Sequence, residues 1–299
     1  MPELPLLINT LVLMRNLKYF ICLLFIIFSF TECTDVVQIK LDEGSELIVI
    51  DAFLESQFDV QAIFIHKNSA YFNTKTPEPI TNAKVVLYDL TINSQVKFEH
   101  SREDRYETFA GRKIFIENHQ YKLEVEIEGV TYSAITTEPR AAKIDSIEAT
   151  YYDKDRITGQ PMYPYYMCTL WAKDKVDEFP DYYWIKTEND TSFNLCIDGT
   201  GGIVKNAEQD SINFAPPYNL LGFRIYRPGN GCYVSINAIT RDTYNFLTQA
   251  QAQISNGGLF ATTPENVKTN FVTPAGAKTK AVGWFSVANV DKLVRTIPY

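Results

Sequence analysis

Short segments in which apolar and polar residues alternate run along the chain from Val36 to Pro139. The clearest, residues 121–127 (YKLEVEI), alternates strictly, and Glu128-Gly129 then turns the chain into residues 130–136. Such alternation places one set of side chains on each face of a pleated strand. About seven strands in roughly 100 residues predict an immunoglobulin-like or prealbumin-like β-sandwich.

The motif Thr137-Glu138-Pro139-Arg140 marks a predicted domain boundary, because proline ends the preceding strand and a new amphipathic strand begins at Ile144. Strands rich in aromatic residues follow at 147–152, 163–171 and 182–187. The pattern therefore predicts a signal segment at 1–32, a β-sandwich domain at 33–140 and a second β-rich domain at 141–299.

One helix is predicted in the second domain, at about residues 241–256. Thr240 is a suitable N-cap, and Gly257 is a suitable C-terminal stop. Between them, apolar residues recur at helical spacing: Tyr244, Leu247, Ala250 and Ile254. The fold class predicted is mainly β with a single helix.

The N-terminal segment carries an export signal. Arg15 and Lys18 precede the apolar run 19–30, and Cys33 follows it. The run is shorter than the roughly 20 residues of a spanning helix. We predict a bacterial lipoprotein signal read from Met14, with lipid attached at Cys33. Because Glu32 stands where a small residue is usual, a plain secretory signal and a transmembrane helix remain alternatives.

Composition and charge agree with an exported β protein. The chain has 18 Tyr, 19 Phe and a formal net charge of -8. Aromatic and β-branched residues favour strands. Nucleic acid is an unsuitable partner, because its phosphates require clustered Lys and Arg.

The cysteine positions allow one disulfide to be predicted. Cys22 lies in the signal and Cys33 is the predicted lipid site, which leaves Cys168, Cys196 and Cys232. Cys196 and Cys232 lie beside glycine-containing turns, so these two could pair in an oxidising compartment. Cys168 lies in an aromatic strand and is predicted to be a small buried apolar residue. Spacing alone does not decide the pairing.

The sequence contains no recognisable catalytic or metal-binding motif. His66, His100 and His119 are too far apart in sequence for a local metal motif, and no G-x-S-x-G segment is present. Acidic residues are too numerous for the sequence to select a catalytic pair. We therefore predict no enzymatic activity, no cofactor and no metal.

Aromatic residues concentrated in the second half are the predicted binding residues. Exposed rings with polar tips suit contact with a sugar, a peptide or a protein. The alternative is that these rings form a sandwich core and cross-strand pairs. The candidates are Tyr163, Tyr165, Trp171, Tyr182, Tyr183 and Trp184.

Several short segments occur in an order found in one protein family: CTDVV (33–37), DYYW (181–184), YNFL (244–247) and VGWF (282–285). In this order they resemble the Bacteroidota lipoproteins of the domain of unknown function 4249, over nearly the whole chain. The resemblance implies an outer-membrane lipoprotein that accompanies a TonB-dependent uptake system. It supplies no functional residues, because the family has no established activity.

The sequence thus predicts a lipid-anchored, non-enzymatic outer-membrane protein, on the periplasmic or the cell-surface face, that binds a TonB-dependent transporter or another envelope protein. One alternative is direct capture of a nutrient or glycan by the aromatic residues. Another is a hydrolase with a hidden carboxylate pair. A flat aromatic patch would favour a protein partner, and a concave aromatic surface would favour a small ligand. A deep pocket with paired acidic residues would favour an enzyme.

Overall fold

The computed structural model describes eleven stretches of the chain: residues 45–56, 60–69, 76–109, 114–154, 158–173, 181–187, 196–197, 204–205, 211–214, 226–254 and 267–299. The predicted signal segment 1–32 and the predicted lipid site Cys33 lie outside these stretches. Within them, no helix has both the length and the apolar character needed to cross a membrane.

Strands dominate these stretches, and the mainly β fold is confirmed. They contain a single helix, α1 (Arg241–Ile254). The strands are β1 (Leu47–Glu55), β2 (Val60–Lys67), β3 (Lys84–Asp89), β4 (Ser94–Arg102), β5 (Arg105–Phe109), β6 (Gln120–Ile127), β7 (Val130–Thr137), β8 (Lys143–Lys154), β9 (Pro161–Lys173), β10 (Tyr182–Thr187), β11 (Cys196–Ile197), β12 (Val204–Lys205), β13 (Ser211–Phe214), β14 (Gly231–Ile239) and β15 (Lys280–Thr296).

Local sequence signals produced the elements that they predicted. The β6–β7 hairpin turns at Glu128 and Gly129, whose φ angles are 51° and 80°. Two successive positive φ angles are typical of the turn that matches the twist of a hairpin. At α1, the Thr240 hydroxyl oxygen accepts a hydrogen bond of 3.2 Å from the backbone N–H of Thr243. The predicted N-cap is therefore confirmed.

The strands form two sheets. The larger has eleven strands in the order β11-β10-β14-β15-β1-β2-β5-β4-β3-β6-β7, and the smaller has four in the order β12-β13-β9-β8. A buried apolar cluster lies between β9 of the small sheet and β10 and β14 of the large one. These two sheets therefore share a core, and residues 45–299 form one compact unit.

The last strand, β15, joins the two halves of the sequence. Its first part runs parallel to β1, with Leu47 opposite Lys280. Its second part runs antiparallel to β14, with Gly231 opposite Thr296. Strand pairing therefore crosses the predicted boundary at residue 140. The division into two domains stays a prediction, because an extended strand can belong to one sheet and still serve two cores.

Each half nevertheless has its own buried cluster. The first contains Ile50 and Leu123, together with Phe285 and Val287 from β15. The second contains Ile147 and Ile236, together with Ile297 just after β15. β15 thus contributes to the first core, and the chain just beyond it contributes to the second.

Candidate functional site

The β8–β9 hairpin carries a ladder of tyrosine pairs. Tyr151 lies opposite Tyr166, and Tyr152 lies opposite Tyr165. The ring centroids of each pair are 5.3 Å apart, edge-on for the first pair and stacked for the second. Such cross-strand aromatic pairs each stabilise a sheet by up to about 1 kcal/mol.

The end of this hairpin carries three exposed side chains, which we call the tyrosine tip and define as Tyr151, Met162 and Tyr163. Their exposed fractions are 50%, 37% and 75%. The guanidinium carbon of Arg227 lies 5.8 Å from the centre of the Tyr163 ring. Tyr, Met and Arg are enriched in protein interfaces. The tyrosine tip is therefore the candidate functional site.

Arg227 reaches the tyrosine tip because its neighbour Tyr226 is bound to β9. The backbone N–H of Tyr166 donates to the Tyr226 carbonyl at 3.0 Å, and the N–H of Tyr226 donates back at 3.1 Å. This bridge pairs residues distant in sequence. The sequence therefore did not predict that Arg227 lies beside Tyr163.

The other two predicted residues on β9 are less accessible. Tyr165 is only 8% exposed and is stacked against Tyr152. Trp171 is half-buried, and its indole N–H donates to a carboxylate oxygen of Glu148 at 3.2 Å. Of the three predicted binding residues on β9, only Tyr163 presents most of its ring to solvent.

The predicted residues on β10 lie on the other sheet. Tyr183 is 2% exposed and belongs to the core between the sheets. Tyr182 and Trp184 alternate with it and pack on the opposite face, beside α1. The centroid of Tyr182 is 5.1 Å from that of Tyr244.

The six predicted binding residues therefore do not form a single surface. Cys168, Leu170 and Ala172 of β9 point into the core between the sheets, so the alternating Tyr165 and Trp171 point away from it. Tyr182 and Trp184 lie outside the same core on its other side. The structure brings Tyr165 and Trp171 to one side and Tyr182 and Trp184 to the other.

A second aromatic cluster holds α1 on the large sheet. The Phe246 ring stacks on Trp284 with 4.6 Å between centroids, and Phe53 contacts both Trp184 and Phe246. The indole N–H of Trp284 donates to the Thr243 hydroxyl at 3.0 Å. These contacts are mostly buried under the helix, and we assign them a structural role.

Charged side chains lie beside this aromatic cluster, on the same face of the large sheet. The Lys186 ammonium lies 3.9 Å from the centre of the Trp184 ring and 2.5 Å from a carboxylate oxygen of Glu55. Lys292 lies 3.8 Å from the other oxygen of Glu55. The ion pair between Lys186 and Glu55 connects β10 to β1, and so it links the two halves of the chain.

The three histidines have separate partners. His66 Nδ1 lies 3.0 Å from Asp104, His119 Nδ1 lies 2.8 Å from Asp89, and His100 Nε2 lies 2.8 Å from the Glu103 carbonyl oxygen. Among the described residues, no group of three or more His, Cys, Asp or Glu side chains could hold a metal ion.

Two carboxyl groups near these histidines have shifted pKa values. Burial raises the pKa of Asp51, although the nearby His66 opposes that effect. Burial also acts to raise the pKa of Asp89, but hydrogen bonds from His119 and from the backbone N–H groups of Thr91 and Ile92 outweigh it and lower the pKa. The hydrogen bonds of Asp89 close the β3–β4 turn, which is a structural role.

Two of the three cysteines that follow Cys33 meet in the core. Cys168 and Cys232 are buried thiols, and their side chains are hydrogen-bonded to each other. Cys196 lies in β11, and its side chain is outside the described part of the structure. The predicted disulfide between Cys196 and Cys232 therefore stays a prediction.

Comparison with known proteins assigns the chain to a family. No curated protein sequence matches it. The family model DUF4249, a domain of unknown function, matches residues 34–293. The match begins one residue after Cys33 and includes both sheets, α1 and most of β15. Because it spans most of the sequence, the chain belongs to the DUF4249 family.

Proposed function

We propose that the protein is a non-enzymatic outer-membrane lipoprotein of Bacteroidota that serves as an accessory binding component of a TonB-dependent uptake system. Membership of the DUF4249 family and the N-terminal signal ending at Cys33 support this proposal. The observation that carries it is the tyrosine tip, where two tyrosines and a methionine near the end of one hairpin are each exposed.

The form of the tyrosine tip favours a protein partner. Its side chains lie on a two-stranded ribbon, and adjacent strands of such a ribbon are only about 5 Å apart. The exposed side chains of the tyrosine tip lie along this ribbon, whereas small ligands are usually enclosed by concave pockets. Tyrosine supplies a large contact area with few rotatable bonds, so binding costs little side-chain entropy.

Lipid attachment at Cys33 would place this surface near the membrane. The segment from Cys33 to the start of β1 spans at most about 50 Å when fully extended. Stable anchoring requires more than one acyl chain, which a multiply acylated N-terminal cysteine provides. The proposed mechanism is therefore tethering, in which the lipid restricts the protein to the bilayer and the tyrosine tip binds the transporter.

The anchor is tested by replacing Cys33 with serine. We expect Cys33→Ser to move the protein from the membrane fraction to the soluble fraction, because serine cannot receive the thioether-linked lipid. Fractionation of cells followed by immunoblotting measures the change. Thr34→Ser is the matched control, since it alters the neighbouring residue and keeps the thiol. Retention of Cys33→Ser in membranes would contradict the lipid anchor.

The binding surface is tested by affinity purification from membranes extracted with mild detergent, with co-purifying proteins identified by mass spectrometry. We expect a TonB-dependent transporter in near-equal amount with the unaltered protein. The double variant Tyr151→Ser/Tyr163→Ser should recover about tenfold less transporter, because exposed aromatic anchors dominate interface energies.

Tyr299→Ser is the control for this experiment, since Tyr299 is fully exposed and lies outside the tyrosine tip. Equal recovery by the double variant and by Tyr299→Ser would exclude the tyrosine tip as the binding surface. Purification of the protein alone would count against the accessory role. A screen of glycans and nutrients against the same variants would then test the direct-binding alternative.

A further inference from the structure

Two cysteines distant in sequence face each other across the core of the second half. Cys168 lies in β9 of the four-stranded sheet, and Cys232 lies in β14 of the eleven-stranded sheet. Their exposed fractions are 3% and 0%, and both belong to the same apolar cluster. A covalent link here would join the two sheets through their shared core.

The two thiols are in direct contact. A hydrogen bond joins the Cys168 and Cys232 side chains, so the two sulfur atoms are neighbours. A disulfide has an S–S length of about 2.05 Å. The core between β9 and β14 thus holds the two thiols beside each other. In the described part of the chain, no other two cysteine side chains are in such contact.

We propose that Cys168 and Cys232 form an intersheet disulfide when the chain folds in an oxidising compartment. The oxidant is a disulfide, carried by an oxidoreductase or by a small molecule such as oxidised glutathione. One thiolate attacks this disulfide and forms a mixed disulfide, and the second thiolate then displaces the carrier. Two S–H bonds are lost, one S–S bond forms, and the oxidant leaves as two thiols.

Burial determines when this reaction takes place. The neighbouring Cys232 and burial in the core both raise the pKa of the Cys168 thiol. Because the thiolate is the attacking species, the folded, reduced pair reacts slowly. The disulfide therefore forms during folding, before β9 and β14 close over the thiols. Once formed, it is protected from reductants by the same burial.

The link would close a loop of about 65 residues, which is long enough for a large restriction of the unfolded chain. It also competes with the disulfide predicted from sequence, because Cys232 can form only one bond. If Cys232 pairs with Cys168, Cys196 stays a thiol. If Cys232 pairs with Cys196, Cys168 stays a thiol. Peptide mapping separates the two arrangements.

The first test uses the full chain denatured, reduced and refolded in a glutathione redox buffer. Remaining thiols are alkylated under denaturing conditions, and the protein is digested and analysed by mass spectrometry. We expect a peptide that links Cys168 to Cys232, with Cys196 alkylated. Cys196→Ser should retain this link, whereas Cys168→Ser should lose it. Alkylation of both Cys168 and Cys232, or a Cys196–Cys232 peptide, would overturn the inference.

Two further measurements test its physical basis. Oxidised glutathione should link the thiols at least about tenfold more slowly in folded, reduced protein than during refolding. A reductant present during refolding should lower the melting temperature of Cys196→Ser by about 10 °C and leave that of Cys168→Ser unchanged. Equal rates of linkage before and after folding, or an unchanged melting temperature in Cys196→Ser, would contradict the buried intersheet link.

The relevance of the link in cells rests on the proposed export, which is tested separately. Protein extracted from the cell envelope without reductant should carry the same linked peptide. If refolded protein carries the link and envelope protein does not, the export proposal fails and the inference about the pair stands. If refolded protein lacks the link, the inference fails whatever the cellular address.

Discussion

Replacing Gly283 with alanine is expected to lower the free energy of unfolding by about 4 kcal/mol. Gly283 lies in β15 directly opposite Ile50 of β1. Its φ angle is 103°, which L-residues rarely adopt. A Cβ at this position would lie 2.2 Å from the carbonyl oxygen of Ile50. The obstructing atom is backbone, so the parallel strand pair itself has to separate.

Chemical denaturation followed by circular dichroism measures this loss, and Gly129→Ala is its matched control. Gly129 also has a positive φ angle, of 80°, but a Cβ there would meet no atom within 4 Å. We therefore expect Gly129→Ala to lower the free energy of unfolding by only about 1 kcal/mol, which is the cost of alanine at a positive φ angle. Equal losses in the two variants would show that β15 and β1 are not packed as closely as the structure has them.

Removing a large side chain from either core is expected to destabilise the whole protein. Phe285 and Ile236 are both 0% exposed and belong to the first and second clusters, respectively. We expect Phe285→Ala to cost about 4 kcal/mol and Ile236→Ala about 3 kcal/mol, because each leaves a cavity. Both should shift one common unfolding transition, because β15 pairs with β1 and with β14.

Differential scanning calorimetry of each variant measures the transitions. Val294→Ala is the control, since Val294 lies in the same strand and is 53% exposed, and we expect a change below about 0.5 kcal/mol. Two separate transitions, each shifted by only one core variant, would contradict this coupling. That result would instead favour two independent domains divided near residue 140.

Elements with a local cause were predictable from sequence. The β6–β7 hairpin follows from strict alternation and from a turn that tolerates positive φ angles, and residues 120–127 pair with 130–137. Helix α1 begins at Arg241 as its cap and its apolar spacing predicted. In each case the interacting residues lie within 17 positions of one another, so a local sequence pattern can predict the contact.

The candidate site was predicted only in part. The concentration of aromatic residues led to Tyr163, and the same argument included Tyr183, which is buried. Alternation along β9 and β10 assigns their rings to opposite faces, but sequence does not say which face meets the core. The contact between Cys168 and Cys232 was not predicted either, because it joins two sheets.

Sequence patterns predicted many of the strands, the helix, the family and the candidate signal, because each depends on neighbouring residues or on a linear pattern. The tertiary structure was needed to show that β15 lies beside β1, that Arg227 reaches Tyr163, and that Cys232 meets Cys168. These contacts join residues separated by tens to hundreds of positions. Burial of apolar surface selects such contacts globally, so no local pattern records them.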